Sequence, residues 1–302
     1  MISDFKGKTA VLTGAGSGFG LECARIGARL GMNLVLVDVQ QDALDAAANE
    51  MRAAGCEVLA QRVDVSAEQP MAALAQQVQA RFGAPHLVFN NAGVGAGGLV
   101  WENSVKDWEW VLGVNLWGVV HGVRLFTPMM LEAAGKDPAY QGHIVNTASM
   151  AGLLNPPNMG VYNVSKHAVV SLTETLYQDL RLVTTQVGCS VLCPFFVATG
   201  IFGSERNRPA RFDEPGRVET ASQSIGRTMG EKAVTSSRVT AAEVAQRVLD
   251  AARDGAFYVY SHPNALAGID ARMQDLLNHR NPGDPFAARP EVGEQLRRAL
   301  SS

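Results

Sequence analysis

Between residues 8 and 193, short apolar runs alternate with helical stretches. This predicts an α/β protein: a doubly wound parallel sheet with helices on both faces. The runs do not alternate apolar with polar, which marks strands buried on both sides. No linker interrupts the series, so residues 1–302 are expected to form a single domain. Each crossover is expected to be right-handed.

Lys8–Thr13 reads as the first strand and Gly18–Leu30 as the first helix. Asn33–Val37 is the second strand, followed by an alanine-rich helix, Gln40–Ala54. Glu57–Val63 and Ala67–Phe82 form the next strand and helix. Leu87–Phe89 is a short strand, and Val105–Ala134 reads as one long helix. His143–Asn146 is a strand, Tyr162–Leu182 a helix with apolar positions at 3.6-residue spacing, and Val187–Leu192 a strand. The polar, weakly periodic stretch at about 200–238 looks like an excursion over the sheet edge and a substrate lid. Ala241–Arg253 resumes as a helix and Ala256–Tyr260 as a strand. A C-terminal extension at about 261–302 follows: Pro263-Asn264, a helix at 265–278, and a Pro/Gly-rich tail from Asn281.

With 47% hydrophobic residues the chain can bury a core of ordinary size. A net charge of −3 leaves no basic excess to neutralise phosphates, which argues against nucleic acid or an anionic membrane as partner. The N-terminus has no signal-peptide pattern, and no apolar run reaches the roughly 18 residues of a membrane helix, so a cytoplasmic location is expected. Cys23, Cys56, Cys189 and Cys193 show no metal-binding or redox spacing and read as buried thiols.

The first strand leads into a turn, Thr13-Gly14-Ala15-Gly16-Ser17-Gly18-Phe19-Gly20, that opens a helix. Glycine suits such a turn because a pyrophosphate must approach the backbone without a Cβ in the way. The helix N-terminus then offers free N–H groups to the anion. Gly14, Gly16, Ser17, Gly18, Phe19 and Gly20 are therefore candidate dinucleotide contacts. The spacing is Gly-x3-Gly-x-Gly, since position 19 is Phe. Asp38 closes the second strand, where a carboxylate can accept hydrogen bonds from both adenosine-ribose hydroxyls and repel a 2′-phosphate. No Lys or Arg follows it, so NAD is expected over NADP. The competing reading is a strand-end Asp that caps the next helix. Asp64 and Val65 end the third strand and are expected near the adenine. Asn90-Asn91-Ala92-Gly93 end the fourth, where Gly93 permits close approach. Ligands of open α/β sheets lie at these strand ends.

Tyr162 and Lys166, four apart, share one helix face. A nearby ammonium would favour tyrosinate over the ordinary phenol. Ser149 lies just past a strand end, where its hydroxyl could donate to a substrate oxygen or cap a turn. Asn115 sits inside a helix, a position Asn disfavours. Either the helix breaks there, leaving Asn115 to hold a water that relays protons to Lys166, or the side chain is buried and satisfied.

Thr13-Gly14-x3-Gly18-x-Gly20, Asn90-Asn91-Ala92-Gly93, Asn115, Ser149 and Tyr162-x3-Lys166 together resemble the short-chain dehydrogenase/reductase family in spacing and order. The resemblance implies a Rossmann-type sheet of seven parallel strands. It also implies Tyr162 as acid/base, Lys166 on the nicotinamide ribose, Ser149 on the substrate oxygen and Asn115 in the relay. Assembly as a homotetramer or homodimer through the helices at 105–134 and 157–182 is likewise implied. Pro194, Val197 and Thr199 are carried over to the nicotinamide end, but Phe195 stands where the family usually has Gly. Ala151, Leu153, Leu154, Asn155, Met159, Phe195 and Phe196 are expected around a mainly apolar pocket, which favours a hydrophobic or aromatic alcohol or ketone. Arg206, Arg208 and Arg211 of the lid either meet a substrate carboxylate or are solvated loop charges. Two other functions stay open: a sensor of NAD(H) without turnover, and an epimerase or dehydratase that regenerates its cofactor.

Overall fold

The computed structural model describes residues 1–263, 265–287 and 289–301. Asn264 of the expected Pro263-Asn264 turn, and Ala288 and Ser302 of the tail, lie outside the described residues. Seven parallel strands form one sheet in the order β3-β2-β1-β4-β5-β6-β7. The strands are β1 (Thr9–Thr13), β2 (Asn33–Asp38), β3 (Val58–Arg62), β4 (Leu87–Asn90), β5 (Gly142–Thr147), β6 (Val187–Cys193) and β7 (Tyr258–Tyr260). β1, β4 and β5 are buried at every residue.

The strands bury both faces because each faces its own set of helices. The helices α1 (Gly18–Arg29), α2 (Gln41–Ala53) and α8 (Ala241–Asp254) cover Ala10, Leu12, Leu34 and Leu36. On the other face, α3 (Glu68–Phe82), α5 (Gly118–Lys136) and α6 (Gly160–Val183) cover Val11, Val35, Val37 and Val88. Strand order reverses between β1 and β4. At such a switch the connections leave in opposite directions and open a crevice at the strands' carboxyl ends. The glycine turn after β1 and the Asn-rich end of β4 flank that crevice.

Three stretches differ from the sequence reading. The expected long helix is α4 (Val105–Leu112) and α5, joined by a π-helical turn at Gly113–Trp117. The polar excursion contains a full helix, α7 (Ala221–Thr235), beside short 3-10 turns at Gly200–Asn207 and Ala210–Phe212. α7 is docked through its small residues. Gly226 lies so close to Gly97 that a Cβ would stand 3.3 Å from the Gly97 Cα, and Ser222 accepts the Leu99 N–H at 3.0 Å. A helix held by backbone approach shows little apolar periodicity. α9 (Ala267–Leu277) matches expectation, but the tail ends in a further helix, α10 (Pro290–Ser301), whose Leu296 is buried.

Candidate active site

Gly14 sits in the left-handed region, at φ 66°, and a Cβ there would come within 3.0 Å of the Ala92 Cα. The turn thus packs directly on the end of β4. A Cβ at Gly20 would collide with the Gly14 carbonyl oxygen. Gly16 and Gly18 complete the cradle: a Cβ at Gly16 would press Ala43 at 2.9 Å, and Gly18 faces the Thr199 methyl. Ser17 is the N-cap of α1, yet its hydroxyl makes no capping bond, so the first N–H groups are not claimed by a side chain. Phe19 turns to the large cavity described below.

Asp38 does two things at the end of β2. One carboxylate oxygen accepts the Gly16 N–H at 2.9 Å, and the other accepts the Gln40 N–H at 2.9 Å. The second bond closes a turn just ahead of α2, whose N-cap is Gln40 and has no side-chain cap, so Asp38 does not play the capping role that the sequence left as an alternative. The first aims the carboxylate into the glycine cradle. Arg62, paired with Asp38 across the β2–β3 register, donates to the Val39 carbonyl at 3.0 Å. This brings a guanidinium beside the cradle that the sequence reading overlooked, because it lies on a different strand.

Asp64 accepts from the Ser66 hydroxyl at 2.6 Å and from Arg211 at 2.8 Å. Burial would raise its carboxyl, but these hydrogen bonds outweigh burial and hold it below the usual range. Val65 is buried beneath Gly118. The Asn91 side chain and the N–H groups of Asn91 and Ala92 tie β4 to Thr13 at 2.8–3.0 Å. Their part in the crevice is to fix its floor. Gly93 leaves the room that Asn115 and Lys166 occupy: a Cβ would stand 3.3 Å from the Asn115 Oδ1.

Asn115 lies in the π-helical turn and is fully buried. Its Oδ1 accepts the Val94 N–H at 2.8 Å, and its Nδ2 donates to the Val94 carbonyl at 3.0 Å and the Ser165 hydroxyl at 3.1 Å. The helix does break here, and the side chain is also satisfied. With both amide hydrogens in use, a relay water would have to be held by the backbone carbonyls that the π-turn loosens.

Ser149 caps a short 3-10 turn at Met150–Gly152 by accepting the Ala151 N–H at 3.1 Å, and it donates to the Pro194 carbonyl at 3.3 Å. Burial pushes the Tyr162 phenol up to about 12, and a hydrogen bond with Ser149 offsets part of that rise. Lys166 lies 5.7 Å from the centre of the Tyr162 ring and donates to the Thr147 carbonyl at 2.9 Å. Burial lowers its ammonium to about 8. The two side chains are thus adjacent, yet burial raises the phenol instead of the lowering expected from the lysine, and the Ser149 hydrogen bond is what opposes that rise.

Ser149, Tyr162, Pro194 and Thr199 open on a cavity of about 1020 Å³. Ala151, Leu154, Asn155, Met159, Phe195 and Phe196 line it as expected, whereas Leu153 packs into the core instead. Val197 also lines the cavity, although it is almost fully buried. Phe195 and Phe196 meet edge to face at 4.7 Å, and the Phe195 N–H donates to Ser261. The far walls come from Phe202 and Met229 of the expected 200–238 lid, and from residues the sequence did not suggest: Arg272 of α9, and Phe286 and Leu296 of the tail. Nothing local marks them, because long-range packing brings them here.

The lid arginines face neither a substrate nor bulk water alone. Arg208 is buried, pairs with Asp107 at 2.7 Å and lies over the Trp110 ring. Arg206 donates to the Gly200 carbonyl at 3.2 Å, and Arg211 pairs with Asp64. Arg208 and Arg211 tie the 200–212 segment to α4 and to the end of β3, whereas the exposed Arg206 bonds only within the segment. Among the described residues no group of three or more His, Cys, Asp or Glu could hold a metal, and no helix is long and apolar enough to cross a membrane.

Comparison with known proteins agrees with this arrangement. A short chain dehydrogenase/reductase from Burkholderia phymatum, solved in complex with NAD, is 51% identical and superimposes with a TM-score of 0.91 over 95% of this chain and all of that one. A CLA biosynthesis dehydrogenase/reductase of Lactiplantibacillus plantarum is 31% identical over 93% of this chain and 97% of its own length. A C alpha-dehydrogenase of Sphingobium sp. is 30% identical over 96% and 93%. The family model for short chain dehydrogenases matches residues 8–210. The chain therefore belongs to the short chain dehydrogenase family, as a nicotinamide-dependent oxidoreductase of alcohol and ketone groups.

Proposed function

We propose that the chain interconverts a hydrophobic secondary alcohol and its ketone, with NAD(H) preferred over NADP(H) and Tyr162 as the acid/base. The observation that carries this reading is the meeting of Ser149 and Tyr162 on one wall of a mainly apolar cavity. The glycine turn fits a dinucleotide, since it opens α1 with no side chain capping the first N–H groups, which are left for a pyrophosphate. Gly14, Gly16, Ser17, Gly18, Phe19 and Gly20 would flank the pyrophosphate. Asp38 would take the adenosine ribose, Asp64 and Val65 the adenine side, and Asn91, Ala92 and Gly93 the middle. Pro194, Val197 and Thr199 would take the nicotinamide end.

Ser149 turns its hydroxyl from the Pro194 carbonyl to the substrate oxygen. Tyr162 takes the alcohol proton in oxidation and returns it in reduction. A buried phenol holds its proton tightly, so positive charge is needed to free it. Lys166 supplies one such charge from below, and Asn115 fixes the turn behind it. Bound at the cradle, oxidised NAD would supply the hydride acceptor and, before that transfer, a second positive charge near the phenol. The 200–238 segment acts as a lid in this reading of 1–302 as one domain, held over the site by Arg208 and Arg211. Exposed apolar residues on α4 and α6, such as Val105 and Val164, support a homodimer or homotetramer. The four free cysteines fit a reducing compartment, the cytoplasm.

Parallel titration of NADH and NADPH on the wild type and Asp38→Ala tests the site. The wild type is expected to bind NADH about tenfold or more tightly, because a carboxylate facing a 2′-phosphate repels it. The mutant should lose that preference, and Arg62 should then favour NADPH. The ratio is the readout, since loosening of the Gly16 turn affects both cofactors. A wild type that binds NADPH at least as well as NADH overturns the preference.

A further inference from the structure

The substrate cavity is apolar near Phe195, Leu154 and Met229, but it is not apolar throughout. Five arginines line it, and three are answered by acids: Arg217 by Asp107 at 2.9 Å, Arg227 by Glu219 at 2.8 Å and Arg280 by Asp275 at 2.9 Å. Arg272 differs. It lies on α9, and among the described residues its side chain makes one hydrogen bond, from Nη1 to the Leu153 carbonyl at 3.3 Å. Asp275, one turn on, is taken by Arg280 and by the Gly283 N–H at 3.1 Å, and forms no ion pair with Arg272. A guanidinium has five N–H donors in a planar fork, so most of this one is uncommitted.

The place of Arg272 matters as much as its freedom. Leu153 follows directly on the 3-10 turn that Ser149 caps. Gly268, one turn earlier on α9, packs against Leu154, within 3.4 Å of its side chain for a built Cβ. The arginine is therefore fixed to the same loop that carries the candidate oxygen-binding serine.

We propose that Arg272 is the anchor for a carboxylate carried by the substrate at the end of an apolar body. This rests on the reading of the cavity as the substrate site and names the substrate class for it. A carboxylate fits better than a phosphate. The fork matches a carboxylate in bidentate geometry, and the acids around the cavity would repel a second negative charge. Glu205 and Asp284 also line the cavity, which further favours an anion of single charge over a larger one.

The test uses the full-length protein with NADH. Acetophenones bearing a para-carboxyalkyl chain of increasing length are compared with their methyl esters on the wild type, Arg272→Ala and Arg272→Lys. The readout is the acid-to-ester ratio of kcat/KM, which a general loss of folded enzyme leaves alone. The wild type should favour the acid of best length by about tenfold or more, the size of one charge-assisted pair. That preference should vanish in Arg272→Ala, mainly through KM, and survive in part in Arg272→Lys. An equal ratio in the wild type, or an undiminished one in Arg272→Ala, overturns the proposal. Turnover of esters without an acid preference would leave alcohol–ketone chemistry standing while removing the anchor. If no ketone is reduced, the cavity reading fails, and titration of the acids into the wild-type and Arg272→Ala complexes with NADH still decides the anchor: tighter binding to the wild type supports it, equal binding overturns it.

Discussion

Burial holds the Tyr162 phenol at about 12 and the Lys166 ammonium at about 8, so each group is pushed toward its neutral form. The signs make a pH prediction. A phenol raised by desolvation keeps its proton, and alcohol oxidation should speed up as pH rises and tyrosinate forms. Lys166 carries its charge mostly below pH 8, so in the proposed mechanism it favours tyrosinate only once the positive ring of bound NAD has brought the phenol down toward that range. In Lys166→Met the rising limb of kcat/KM for oxidation should move to higher pH by about one unit or more. A limb that stays in place would show that Lys166 does not act on Tyr162. Tyr162, Lys166 and Ser149 were readable from spacing alone, because helix periodicity and a strand end bring them together. Arg62 and Arg272 were not. One reaches its place through strand pairing and the other through the docking of a distant helix.

Elements with one apolar face were legible, and those held by other means were not. α7 has its capping box, Thr220 with Gln223, written in sequence, but its docking face is Ser222, Gly226 and small neighbours. α10 starts at Pro290, a favoured first helical position, within a stretch that reads as a loop. The junction between the lid and α4 is also polar. Asp107 caps α4 in a capping box with Ser104 and meets both Arg208 and Arg217. Asp107→Ala removes the nearest acid from a buried guanidinium, leaving Arg208 the Phe212 carbonyl and two acids at 3.9 Å, so the loss should approach the lower end of the about 3–5 kcal/mol typical of a broken buried pair. The denaturant midpoint should fall accordingly, and a shift below about 1 kcal/mol would mean that the cluster adds little. Salt should not reproduce the loss, since a buried pair is poorly screened.

The sheet, its helical layers and its crevice follow from composition and pattern, since a run buried on both faces has few other solutions. Assembly is a property of the whole surface. Val105, Trp117 and Val164 are exposed by 72%, 52% and 47% on α4, the π-turn and α6. Light scattering after gel filtration should give a dimer or tetramer, and Val164→Glu should shift it toward monomer. A monomeric wild type at micromolar concentration would contradict the assembly proposed above.

The walls of the cavity come from two parts of the chain. Ser149, Tyr162 and the cradle lie within residues 8–210, whereas Met229, Arg272, Phe286 and Leu296 lie after them. In the proposed reading the chemistry lies in the first stretch, while the substrate wall is shared between the two, with Leu154, Met159, Phe195 and Phe196 from the first. Such a chain can be recombined near residue 212. A chimaera that takes its remaining residues from a relative should shift toward the relative's taste in alcohols, as far as the distal wall sets it, while keeping its own nicotinamide. Gene fusion at one point, rather than many coordinated mutations, would then be enough to send this scaffold toward a new metabolite.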